Sequence, residues 1–227
     1  MVTLNALILR LQTAPAMMKV SRRGFAALAL AGGLCALLGV TPQAAADDEE
    51  LAQALPAGGL VILVRHGATF RDQADTDPLH PENVAAQRQL NDHGKAAAKG
   101  FGDALREIGA PVGKVYTSQF NRAYETAVFA GFKDIEKTVD LNVMGEVNSP
   151  DENSRRVAAL RKMLGTAPDP GTNTIIVTHG FSIMATLGKD WFDTKEGEAS
   201  IFRSANGSYA LLARVQMDEW PRIAAAK

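Results

Sequence analysis

Two stretches of the chain are apolar without alternation, Gly59-Leu60-Val61-Ile62-Leu63-Val64 and Thr174-Ile175-Ile176-Val177-Thr178. Runs of this length that lack polar positions predict strands buried on both faces, as in a parallel sheet. Between them, Asn91 is placed to cap a helix that runs to about Ile108, where Gly109 and Pro111 stop it. Val115-Tyr116-Thr117 predicts a short strand, and Ser118 opens a helix through about Phe129. Ile135 to Leu141 predicts a further strand. A helix follows, beginning at Asp151 or Asn153 and ending near Leu164-Gly165. After the second apolar run comes a short helix from about Ser182 to Leu187. Ala199 to Phe202 and Tyr209 to Val215 then read as antiparallel edge strands around an Asn206-Gly207 turn. Strands alternating with helices predict one α/β domain, a three-layer α/β/α sandwich with a mostly parallel central sheet, over residues 59–227. Residues 47–58 read as a polar, flexible lead-in.

The first 46 residues stand apart. They hold Arg10, Lys19, Arg22 and Arg23 but no acid, and Ala26 to Val40 is nearly all Ala, Leu and Gly. Ser21-Arg22-Arg23-Gly24-Phe25 at the head of that run and Ala44-Ala45-Ala46 at its end predict a signal peptide cleaved after Ala46. The paired arginines are similar to a twin-arginine signal. Met17 or Met18 makes a more usual start than Met1. Cleavage leaves no stable membrane anchor and removes Cys35, the single cysteine of the chain. The exported domain then has no thiolate chemistry and no disulfide, which suits a periplasmic or secreted location.

Composition narrows the field further. The 227 residues are 46% hydrophobic and 22% charged, with 24 Lys and Arg against 25 Asp and Glu, a formal charge of −1. A chain so nearly neutral carries no field to draw it onto nucleic acid, and its few aromatics form no base-stacking platform.

Chemistry concentrates at three strand ends, which is where ligands bind in sheets of this kind. They carry Arg65-His66-Gly67, Thr117-Ser118 with Arg122 one turn into the following helix, and His179-Gly180. Two of the four histidines and two arginines therefore converge at one sheet edge. Two guanidinium forks and two imidazoles make a pocket for a tetrahedral dianion, with phosphate the evident candidate.

Three blocks carry a family resemblance: Leu63-Val64-Arg65-His66-Gly67-Ala68-Thr69, then Ser118-Gln119-Phe120-Asn121-Arg122-Ala123-Tyr124-Glu125-Thr126-Ala127, then Val177-Thr178-His179-Gly180. From about Gly59 to Val215 the chain resembles the histidine phosphatase superfamily, the phosphoglycerate-mutase-like fold, in its first branch. The resemblance implies that His66 is the nucleophile and forms a covalent phosphohistidine. Arg65, Arg122 and His179 would neutralise the phosphoryl oxygens, with no metal and no cofactor. Gly67, Thr69, Ser118, Arg88 and Gly180 complete the expected substrate contacts; Ser118 is read equally as a helix cap, and Gly67 as the residue that lets the backbone turn beside the phosphate. In this branch the proton donor is a Glu after the second helix, which points to Glu146; Asp72, Asp75, Asp77 and Glu82, in the long polar loop Ala68–Gln89, are its rivals.

The expected function is phosphate-ester hydrolysis on a small molecule or a phosphorylated envelope component. A phosphoglycerate-type mutase and a phosphate-binding regulatory module stand as alternatives, and a phosphohistidine-protein phosphatase as a variant. His80 and His93 are expected on the surface. Arg155, Arg156, Arg161 and Lys162 read as the solvated face of a helix whose apolar stripe is Val157, Leu160 and Leu164.

Overall fold

The computed structural model describes residues 48–145 and 148–227. The expected signal segment, its expected cleavage point and Glu146 lie outside the described residues. A six-stranded sheet forms the centre, in the order β3-β2-β4-β1-β5-β6. Strands β1 (Leu60–Arg65), β4 (Asn173–Thr178), β2 (Val112–Ser118) and β3 (Ile135–Thr138) run parallel, while β5 (Glu198–Ala205) and β6 (Ser208–Gln216) are antiparallel to their neighbours. Helices cover both faces. This is the mixed, mostly parallel α/β sandwich that the alternation of elements implies.

Strand β1 explains why its sequence has no polar position. Leu60, Ile62 and Val64 enter one core with residues of α1 (Asp48–Ala57), α2 (Asp92–Ile108), α3 (Asn121–Phe129) and α6 (Trp220–Ala225). Val61 and Leu63 enter the opposite core with Leu160 and Leu164 of α4 (Pro150–Gly165) and Ile183 of α5 (Gly180–Leu187). Both faces of the pleat are covered, so alternation vanishes.

The helix ends follow from local chemistry. Asn91 accepts a hydrogen bond at its side chain from Gly94 N, and Gly109 ends α2 at φ 80°, in the left-handed region. Helix α4 starts one residue before the earlier of its expected starts, because Ser149 caps Glu152 N and Pro150 fills the first turn.

Four expectations are corrected. Residues 48–57 are a helix rather than a flexible lead-in, because Leu51, Ala52 and Leu55 recur at helical spacing and are buried. Strand β5 is not an edge, since it pairs with both β1 and β6. Ser118 ends β2, and α3 begins only at Asn121. Arg156 is buried, not solvated: it donates to Glu152 and to the Val143 carbonyl. Helix α6, which the pattern did not suggest, is the last, buried through Trp220, Ile223 and Ala224 and packed against α1 and α2.

Candidate active site

The carboxyl ends of β1, β2 and β4 meet at one cavity of about 300 Å³, lined by Arg65, His66, Arg88, Arg122, His179 and Gly180 among others. Its geometry is set from the backbone upward. His66 N donates to the Thr178 carbonyl at 3.0 Å, joining the ends of two parallel strands. Gly67 N donates to Thr126 Oγ1 at 2.9 Å, and that hydroxyl donates to the Arg122 carbonyl at 2.7 Å, which ties the His66 turn to α3. The need for glycine at position 67 is close approach rather than turning freedom. A Cβ there would lie 3.0 Å from the Gly94 carbonyl, and a Cβ on Gly94 would lie 2.2 Å from the Ala68 carbonyl. Gly180 serves similarly, since a Cβ would stand 3.2 Å from the Arg65 guanidinium.

The His66 ring is 2% exposed and its Nδ1 lies 2.9 Å from the Gly67 carbonyl. A carbonyl only accepts, so Nδ1 holds the proton and Nε2 keeps a bare lone pair. Burial, and then the Arg122 guanidinium, hold this imidazole well below its ordinary pKa; the Gly67 contact opposes them, and Arg65 and Arg88 add to the depression. His66 is therefore neutral.

The tautomer of His179 follows from its partners. Gln119 N donates to Asn142 Oδ1 at 2.8 Å, while Asn142 Nδ2 donates to Gln119 Oε1 at 2.9 Å, which fixes the amide orientation. Ser118 Oγ lies 3.0 Å from the same Oδ1 and must give it its single proton. The hydroxyl oxygen then accepts from Phe120 N at 3.1 Å and from His179 Nε2 at 2.8 Å. His179 accordingly carries its proton at Nε2. Its Nδ1 is buried and has no protein partner. Burial first, then Arg122, hold its pKa well down too. The two imidazole centroids are 5.3 Å apart.

The guanidiniums are partly engaged. Arg122, stacked at 4.8 Å on the Phe120 ring, donates from Nη1 to Asp75 Oδ1 at 2.8 Å. Arg65 donates to the Thr194 carbonyl at 2.5 Å. Arg65 and Arg88 each approach Glu196 Oε1 at 3.7 Å. Nε of Arg65 and Nε of Arg122 are buried without a partner. The cavity thus gathers three guanidiniums against two carboxylates, and three orphaned polar atoms belong to its lining. Such atoms cost free energy unless something bonds them, and a tetrahedral oxyanion suits all three.

Two expected ligands are otherwise engaged. Thr69 donates its hydroxyl to Glu196 Oε1 at 2.6 Å, so it orients a carboxylate rather than meeting substrate. Ser118, fully buried with three hydrogen bonds, positions His179 and is closed to phosphate. Among the rival acids, Asp75 bonds a cavity residue, whereas Asp77 pairs with His80 and Asn83, and Asp72 and Glu82 are exposed. His93 is exposed as well. The loop that holds Asp75 and Arg88 is stitched shut, with Asp75 Oδ1 also accepting from Arg88 N and Thr76 N donating to the Ala86 carbonyl.

Asn142 and Glu196 escaped the sequence reading, though each had a positional signal. Asn142 is the first residue past the predicted strand Ile135–Leu141. Glu196 precedes an antiparallel strand, whose amino end arrives at the same sheet edge as the carboxyl ends of its parallel neighbours; Gly197 N donates to the His66 carbonyl at 2.9 Å.

Comparison with known proteins bears on the fold and on the region that carries the first two motifs. Residues 61–144 match the model of the histidine phosphatase superfamily (branch 1). No curated protein matches the chain. Among solved structures, the protein histidine phosphatase SixA complexed with tungstate is 16% identical, with 70% of this chain and 98% of that chain covered at a TM-score of 0.50. A candidate alpha-ribazole-5'-P phosphatase from Escherichia coli K-12 gives the same identity of 16%, coverage of 70% and 98%, and TM-score of 0.50. At such identity these two show a shared fold. Residues 61–144 are therefore similar to the histidine phosphatase superfamily (branch 1), and they are set in a fold that the chain shares with those two solved structures.

Proposed function

We propose that the protein is an exported phosphomonoesterase that works without a metal, through a covalent phosphohistidine at His66. The observation that carries this reading is the bare Nε2 of a neutral, buried His66 beside three guanidiniums. Binding alone would need only the cations; a nucleophile needs the lone pair that the Gly67 carbonyl exposes.

Nε2 attacks phosphorus as the bond to the alcohol oxygen breaks, so a P–N bond replaces a P–O bond. Charge that spreads over the equatorial oxygens is met by Arg65, Arg122 and, as the cavity fills, Arg88. His179 contributes at Nδ1, where one proton comes to lie between the ring and a phosphoryl oxygen. The leaving alkoxide takes a proton from a carboxyl group. Glu146 and Asp75 are the two candidates, the first on the family resemblance and the second on its contact with Arg122. Water then attacks phosphorus and gives a proton back to the same carboxylate, the P–N bond breaks with its electron pair returning to Nε2, inorganic phosphate departs and the imidazole is again neutral.

Substrate would be a small phosphate ester or a phosphorylated component of the cell envelope. Export rests on the acid-free leader with Arg22-Arg23 and the Ala44-Ala45-Ala46 end. Replacing both arginines with lysine is expected to hold the protein in the cytoplasm on cell fractionation.

The direct test is hydrolysis of p-nitrophenyl phosphate beside His66→Ala, with and without EDTA. Turnover is expected to survive the chelator, because guanidiniums supply the charge, and to fall by roughly 10⁴-fold or more in His66→Ala. Rapid quench with ³²P-labelled ester should trap an acid-labile, base-stable phosphoprotein. Undiminished turnover in His66→Ala would dispose of the mechanism.

A further inference from the structure

The cavity lining is of two chemical kinds, and the guanidiniums and imidazoles are the set that would hold the phosphoryl group. The remaining lining consists of Val143, Phe181, Met184, Phe192, Thr194 and Gly180. Thr194 has no proton to offer, since its hydroxyl donates to the Trp191 carbonyl at 2.8 Å, and its own carbonyl accepts from Arg65. Among the described residues, this second set therefore presents no side-chain donor, and its one side-chain oxygen acceptor, the Thr194 hydroxyl, belongs to a residue only 3% exposed, which leaves almost nothing to read the hydroxyls of a sugar or glycerol.

Two of its side chains are exposed to a degree that is unusual for their size, Phe181 at 50% and Phe192 at 77%. Neither stands on a frayed segment. Phe181 is in the first turn of α5, two residues from His179, and lines the same cavity. Phe192 follows a short helical turn, Lys189–Trp191, anchored on both sides: Trp191 Nε1 donates to Ser200 Oγ at 3.1 Å, and Thr194 holds Arg65. An anchored turn that presents a phenyl ring to solvent at the mouth of a charged cavity keeps apolar surface available for burial.

We propose that Val143, Phe181, Met184 and Phe192 form the subsite for the alcohol half of the substrate, and that this alcohol is an alkyl or aryl group rather than a sugar, glycerol or nucleoside. The proposal rests on the phosphatase reading of the same cavity. A phosphate monoester tethers its alcohol within one bond of the phosphoryl group, so whatever leaves His66 must lie against the wall next to it. An apolar alcohol would cover the two rings and gain affinity for each methylene removed from water. A polyhydroxylated one would lose hydrogen bonds to water and find no replacements there.

The test is a series of primary alkyl phosphates from ethyl to octyl, each kept below its aggregation concentration. Their leaving groups are almost equally basic, so differences in kcat/KM report contacts and not chemistry. The expected result is a rise of roughly two- to fourfold per methylene until the wall is covered, with hexyl phosphate well ahead of glycerol 1-phosphate and glucose 6-phosphate. Phe192→Ala and Phe181→Ala should each flatten that slope. Binding of the matching alkylphosphonates, followed by calorimetry, separates the two ideas. If phosphonates bind with the chain-length slope while no ester is hydrolysed, the wall assignment stands and the phosphatase reading falls. A flat series in both assays overturns the wall assignment, as does a slope that both alanine variants leave intact. Faster turnover of glucose 6-phosphate than of hexyl phosphate also overturns it.

Discussion

His179 is held in one tautomer by a relay that begins at a backbone amide. Gln119 N orients Asn142, Asn142 takes the Ser118 proton, and the Ser118 oxygen is left to accept from Nε2. When an anion arrives, Nδ1 can bond it only with a proton, so the ring becomes an imidazolium whose Nε2–H is already satisfied. Asn142→Ala lets the hydroxyl rotate and donate to Nε2, and the ring can then carry a proton at Nδ1 while staying uncharged. A loss of one charge-assisted hydrogen bond predicts a fall of about tenfold to a hundredfold in kcat/KM. Sulfate is a dianion from pH 8 to pH 6, so its affinity should tighten over that range in the wild-type protein and much less in Asn142→Ala. A purely structural role would lower the melting temperature and leave that pH dependence alone. The proton donor is separable in the same manner. Glu146→Gln and Asp75→Asn should be compared on an alkyl phosphate and on p-nitrophenyl phosphate, since a good leaving group needs little proton assistance. The variant that lacks the true donor should lose about 10²–10⁴-fold on the alkyl ester and far less on the aryl one; equal losses on both esters would mark that carboxylate as a binding partner of the arginines.

At the scale of elements, what the sequence made readable follows from which interactions are local. Strands β1 and β4 were legible because burial on both faces leaves an unbroken aliphatic run, and α2 because Asn91 and Gly109 mark its two ends chemically. The positions of His66 and His179 were legible for the same reason, as each follows such a run at once or by one residue, and Arg122 from its place one turn after the short strand β2. Helix α1 was not, because its acidic first turn, Asp48-Glu49-Glu50, masks a stripe of only three buried residues. Leu55 in that stripe is fully buried, so Leu55→Ala should cost about 2–5 kcal/mol, measured by denaturant unfolding. A lead-in that merely trailed from the domain would give no change. The loop contacts Asp75–Arg122 and Thr69–Glu196 were also invisible, because they join residues 47 and 127 positions apart. The junction of the His66 turn with α2 is similarly non-local. Gly94→Ala forces a methyl onto the Ala68 carbonyl, and a destabilisation of about 1–3 kcal/mol is expected, with lowered activity because the displaced segment carries His66.

At the scale of the molecule, the fold holds two imidazoles uncharged among three guanidiniums, and this links stability to pH. Both histidines have folded pKa values well below the ordinary value of about 6.5, chiefly through burial. Above that value neither state binds the protons and the arrangement costs nothing. As pH falls below about 6.5 the unfolded chain takes them up while the folded protein does not, so unfolding is progressively favoured until the folded pKa is reached. The melting temperature should therefore drop between pH 7 and pH 5, and drop less in His179→Asn. Paired carboxylates elsewhere contribute the same change to both proteins, so the difference between the two curves isolates the ring. Sulfate reverses part of the effect, because its charge supports the imidazolium at position 179 that the empty cavity disfavours. Its protection should therefore be greater at pH 6 than at pH 8 in the wild-type protein, and nearly equal at both in His179→Asn. The same free energy that makes the empty cavity a weak point in acid makes it selective for a dianion that arrives with a proton, and a differential melting experiment across pH and sulfate reads both sides of that coupling. Parallel curves for the two proteins would mean that His179 is not the group whose charge the anion controls.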